Sequence, residues 1–320
     1  MTIQAVAAAY NRHQADISHR ATLRTAAQWA GIDPADISGS WTTAVGPAMV
    51  RTLTAAQQLA AVSAPAYVRA ALDAQDTAYA PQATINPTAF SGAAADGRPL
   101  SGLLYLPVID TKTAIASGMS VADALARGGR MLSRLVATET AQAGRDALAA
   151  QMSATPTVED YVRMVAGSAC SRCIILAGKK YKKNAGFLRH PKCQCTGIPC
   201  AENVAGDLLT DPHAFFDSLS PAEQEARFGA AGADAIRRGA DIFQVVNSQR
   251  GIYTADVFGR RLELTKEGVT KRGLAGQRLI ADRKPGAPTG FRLSVGEIYR
   301  AAGDDDGLLT SLLYKYGFVR

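Results

Sequence analysis

The chain has 320 residues, 47% of them apolar and 20% charged, with a net charge of +7. One hydrophobic core rarely serves that length, so several modules are expected, and abundant alanine favours helices. Charged or polar residues interrupt every alanine-rich run before roughly 18 apolar residues accumulate, which excludes a membrane-spanning helix, and MTIQAVAAAYNRHQAD lacks the pattern of a secretory signal.

Residues 2–32 place apolar side chains at helical spacing up to Ile32-Asp33-Pro34-Ala35, so one or two helices are expected before a break at the proline. Thr43 to Gln75 repeats the pattern, with Val50, Leu53, Ala56, Leu59 and Val62 on one face before Pro65. Residues 81–100 are rich in Pro, Gly, Ala and Asn without a period, which reads as a loop or an extended arm available for interaction. Ser120 and Asp123 form a capping signal for a helix running to about Met152, and Tyr161–Val165 reads as a short strand leading to a turn at Gly167-Ser168.

Ser220-Pro221-Ala222-Glu223 supplies a cap, an N1 proline and a capping-box glutamate, predicting a helix that ends near Gly229. A second short helix is expected over Ala233–Arg238, an extended segment over Phe243–Val246, a loop from Lys284, and terminal helices over Ser294–Ala302 and Leu308–Tyr316. The expected fold is mainly α with a small α+β zinc-stabilised module. Its domains are a helical region over 1–153 with the arm at about 81–100, a basic Cys/His module over 154–205, an α+β segment over 206–283, and a tail with short helices over 284–320.

All five cysteines fall between Cys170 and Cys200. The order is Cys170-x2-Cys173, then His190-x2-Cys193-x-Cys195, then Cys200, a pattern that structural zinc explains best because a C-x2-C knuckle presents two thiolates to one ion and a second turn completes the tetrahedron. Six donors compete for four places: Cys170, Cys173 and His190 with Cys193 or Cys195 are favoured, and Cys200 is the weakest candidate. Buried thiols, a disulfide framework and a thioredoxin-like redox pair are the alternatives. Neither H-E-x-x-H nor H-x-E with P-C-x-x-C occurs, no G-x-S-x-G is present, and His13, His19 and His213 have no evident nucleophile, so an enzyme is not expected.

The same segment is basic. From Tyr161 to Cys200 it carries Arg163, Arg172, Lys179, Lys180, Lys182, Lys183, Arg189 and Lys192 and no Asp or Glu, so Lys179, Lys180, Lys182, Lys183, Arg189 and Lys192 are candidate nucleic-acid contacts, with a solvated face as the alternative.

The runs Gly167-Ser168-Ala169-Cys170-Ser171-Arg172-Cys173-Ile174-Ile175-Leu176-Ala177-Gly178 and Arg189-His190-Pro191-Lys192-Cys193-Gln194-Cys195 resemble the signature of the phage Mu protein F-like minor head proteins, and Leu219–Gln224 and Gly239–Asn247 resemble versions from phages of actinobacteria. The resemblance implies a structural virion protein without catalytic residues, bound near the portal inside the head of a tailed bacteriophage and present in the host cytoplasm during assembly. It would assist head assembly or genome packaging and ejection. The implied partners are the portal protein, the major capsid protein and packaged phage DNA. The competing expectation is a zinc-containing DNA-binding protein or nuclease, for which the basic window speaks and the missing histidine pair does not.

Overall fold

The computed structural model describes residues 1–165, 169–186, 195–200, 211–257, 259–270, 273–281 and 290–319. It is mainly helical with two small antiparallel sheets. The described residues divide into two compact units: one holds 1–165, 178–186 and 195–200, the other 169–177 and 211–319.

In the first unit, α1 (Ile3–Trp29) is one helix, capped by the Thr2 hydroxyl, which accepts the Ala5 amide at 3.3 Å. After the turn at Asp33-Pro34, α2 (Ile37–Ser40) runs through a π-helical turn at Trp41–Val45 into α3 (Gly46–Val62), and α4 (Ala64–Asp73) restarts with Pro65 in its first turn. The buried face of α3 is Met49, Leu53, Ala56 and Ala60; Leu59 and Val62, expected on it, are 57% and 53% exposed. The buried stripe is therefore rotated about the helix axis from the expected one.

Next come α5 (Leu100–Ala116) and α6 (Val121–Ser153), the latter capped by Ser120 as expected. The long α6 packs against α1, α3 and α5. Trp29 seats on it, its indole Nε1 donating to the Leu125 carbonyl at 3.0 Å. Gly128 makes room for this contact, since a Cβ there would stand 2.2 Å from Thr111 Oγ1 and 2.8 Å from the Trp29 ring.

Residues 81–100 hold a 3-10 turn at Pro87–Phe90 and are otherwise irregular, but they are not an unattached arm. The Gln82 amide donates to the Ala154 carbonyl, the Ile85 amide to Gln151 Oε1, and the Ala95 amide to Glu139 Oε2 at 2.8 Å. Gln57 on α3 accepts from the Gly92 amide and donates to the Ala93 carbonyl. Buried side-chain amides thus satisfy backbone groups that an extended segment leaves open, and the segment becomes a strap over α3 and α6.

The first sheet has the order β2-β1-β3, with β1 (Asp160–Met164) antiparallel to β2 (Lys180–Lys182) and to β3 (Thr196–Cys200). Pro199 is tolerated in β3 because that strand is an edge. Two side chains cover the edge: the Tyr67 hydroxyl donates to the Gly197 carbonyl at 3.0 Å and Gln75 Nε2 to the Pro199 carbonyl at 2.9 Å. Tyr67 also stacks on Tyr10, joining α4 to α1.

The second unit contains α7 (Ser171–Ile174), α8 (Pro212–Asp217), α9 (Pro221–Phe228), α10 (Ala230–Arg237) and α11 (Ile242–Ser248). A hairpin of β4 (Tyr253–Val257) and β5 (Arg260–Thr265) follows, then α12 (Leu274–Ala281), β6 (Arg292–Leu293), α13 (Val295–Ala302) and α14 (Asp306–Lys315). The capping box at Ser220 and Glu223 is formed, and Gly229, at φ 74°, ends α9 in the left-handed region. Phe243–Val246, expected to be extended, is helical because the Asp241 carboxylate caps it, accepting from the Phe243 and Gln244 amides.

The last residues belong to the core of this unit and are not a loose tail. Phe318 is fully buried, its carbonyl accepts the Asp241 amide at 2.8 Å, and the guanidinium of buried Arg292 lies 4.3 Å from its ring centre. Arg292 donates to the Tyr316 carbonyl at 3.0 Å and to Gln244 Oε1 at 3.1 Å, and burial pulls its pKa down to about 10. The expected loop from Lys284 lies largely outside the described residues.

Candidate metal centre and basic strand

Cys170 stands at the N-cap of α7, and its carbonyl accepts the amides of Cys173 and Ile174 at 2.9 and 3.1 Å. The turn therefore places the two cysteines of the C-x2-C pair at positions i and i+3, on neighbouring sides of one helical turn. Cys173 is buried and Cys170 half-buried; α7 packs against α8 and α11. Cys195 is buried just before β3, with its carbonyl accepting Arg145 Nε at 3.3 Å.

His190 and Cys193, which complete the ligand set, lie outside the described residues. Among the described residues no three His, Cys, Asp or Glu side chains form a metal-holding group. The donor chemistry fits zinc on the C-x2-C side, where two thiols issue from one turn; the other half of the set rests on the spacing alone.

Cys200 behaves differently. Its Sγ donates to the Ile198 carbonyl at 3.2 Å, and burial pushes its thiol up to about 11.

The basic segment is split by strand geometry. Lys180 and Lys182 lie on one face of β2 and bracket the buried carboxylate of Asp160, at 2.8 and 3.1 Å. The hydrogen bond from Lys180 is the main cause of the lowered pKa of Asp160, and Lys180 is raised in turn. Tyr181 points to the other face, where it stacks on Tyr161 with ring centres 5.4 Å apart and Lys179 Nζ sits 5.5 Å from its ring centre. Arg163 is 2% exposed, while Arg189 and Lys192 lie outside the described residues.

Asp160 immediately precedes the acid-free window, so a tally restricted to the window counts two lysines as available that are already engaged. Strand pairing brings Asp160 opposite Lys182, and only the register reveals it.

No protein-family model matches this chain. No curated protein and no solved structure matches it either. Among the described residues no helix is long and apolar enough to cross a membrane.

Proposed function

We propose that the chain is a structural minor head protein of a tailed bacteriophage, bound near the portal, with a zinc ion held by Cys170, Cys173, His190 and one of Cys193 or Cys195. The observation that carries this reading is the pair of runs Gly167–Gly178 and Arg189–Cys195, which join a C-x2-C knuckle to an H-P-x-C-x-C ending. The formation of the C-x2-C pair on a single turn supports the metal part. A closed four-ligand zinc contributes folding energy and leaves no position for an activated water, in keeping with a structural role.

The test has two arms. Elemental analysis of freshly reduced protein should find about one zinc per chain, lost in Cys173→Ser and kept in Cys200→Ser; metal-free wild type removes zinc from the proposal. Co-expression with a portal protein and a major capsid protein should place the chain in assembled heads, and its absence from purified heads overturns the virion role. Cleavage of plasmid DNA with divalent metal would instead establish the nuclease reading.

A further inference from the structure

The exposed side of α6 carries a second basic feature, away from the cysteine segment in sequence. From Ala124 to Thr138 the helix holds Arg127, Arg130 and Arg134 and no Asp or Glu. Positions i, i+3 and i+7 share one helix face, and all three side chains are exposed there. They line a surface groove of roughly 640 Å³ together with Asp110, Met131 and Ser133.

The three guanidiniums are not equivalent. Arg127 is held by Asp110 through two 2.8 Å hydrogen bonds, Nε to Oδ2 and Nη2 to Oδ1, which fixes its plane and offsets its charge. Arg130 and Arg134 have no carboxylate within ion-pair distance among the described residues, so two guanidiniums outside any ion pair stand one helical turn apart at the groove. Lys180 and Lys182, by contrast, are already engaged with Asp160.

We propose that Arg130 and Arg134 on α6, beside the Asp110-paired Arg127, bind the phosphate backbone of a nucleic acid. A guanidinium fork pairs with two phosphate oxygens at once, and two free forks one helical turn apart suit a ligand whose anions repeat at regular intervals. A protein partner is the weaker match: protein interfaces centre on buried aromatic or aliphatic anchors, and Met131 is the one apolar side chain lining this groove. The inference stands on α6 and does not depend on the virion reading.

The experiment uses the full chain and a short duplex DNA, with affinity followed by fluorescence anisotropy from about 50 to about 200 mM salt. The variant Arg130→Gln/Arg134→Gln should bind about tenfold more weakly at low salt and flatten the log–log salt slope by about 2, one for each phosphate no longer neutralised. Its melting temperature should match wild type, because both side chains are exposed. Lys179→Gln/Lys183→Gln should retain most of the affinity. The proposal is overturned if wild type does not bind DNA at low salt, if the arginine variant binds as wild type does, or if poly-glutamate competes as well as DNA, which would make the partner an acidic protein.

Discussion

Two buried carboxylates in the first unit are shifted in opposite directions, and their surroundings explain both. Asp160 faces two lysines and is held below the usual carboxylate range, chiefly by its hydrogen bond from Lys180. Glu139 is raised, mainly by burial and further by Asp96 and Asp146, against the opposing hydrogen bond from the Ala95 amide. A lowered acid contributes stability above its unfolded pKa and loses it as pH falls through the folded value; a raised acid contributes below its unfolded pKa and loses it as pH rises through the folded one. Asp160→Asn should therefore destabilise at neutral pH, by at most about 1 kcal/mol because its lysines are solvated, with the deficit vanishing in acid. Glu139→Gln keeps an acceptor for Ala95 and should raise the neutral-pH melting temperature, with that gain shrinking as the solution is acidified. Melting curves of both variants across pH check the signs, and parallel profiles would contradict them. Neither partner set was legible in the sequence, because Asp160 meets Lys180 and Lys182 through strand register and Glu139 meets Ala95 across 44 positions of chain.

Element by element, what the sequence announced depended on whether the signal was local. The starts at Ser120 and Ser220 were readable because a cap and its amide lie three residues apart. The strand at Tyr161–Val165 was readable from its β-forming residues, whereas Phe243–Val246 looked extended for the same reason until the Asp241 cap is taken into account. α5 gave no usable period, being apolar around much of its circumference and interrupted by Pro107. The cysteines were conspicuous through their clustering, but their tertiary surroundings were not. The strap over 81–100 lacked any local signal because its partners Gln57, Glu139 and Gln151 sit on other helices. Deletion of residues 81–98 should for that reason destabilise the first unit, contrary to what an independent arm would do. Gln57→Ala, which leaves the Gly92 amide and the Ala93 carbonyl without these partners, should cost about 1–3 kcal/mol and speed proteolysis within the strap. Unchanged proteolysis would show that the amide clamp contributes little.

At the scale of the whole chain, each unit has its own apolar interior, and the second is completed only by its final residues. Phe318→Ala removes a ring packed under Arg292 and should cost about 3–5 kcal/mol, with hydrogen exchange rising in α11 and α13 while α1 and α6 stay protected. Equal loss of protection in α1 and α6 would show that the two units unfold as one. The first unit's sheet has a further consequence at high concentration. A strand from another molecule adds to an edge through unclaimed carbonyls and amides, but along β3 the carbonyls of Gly197 and Pro199 are already taken by Tyr67 and Gln75, and Pro199 has no N–H to offer. The β3 border of this three-stranded sheet is thus closed to self-templating, so crowding copies together does not extend the sheet from that side.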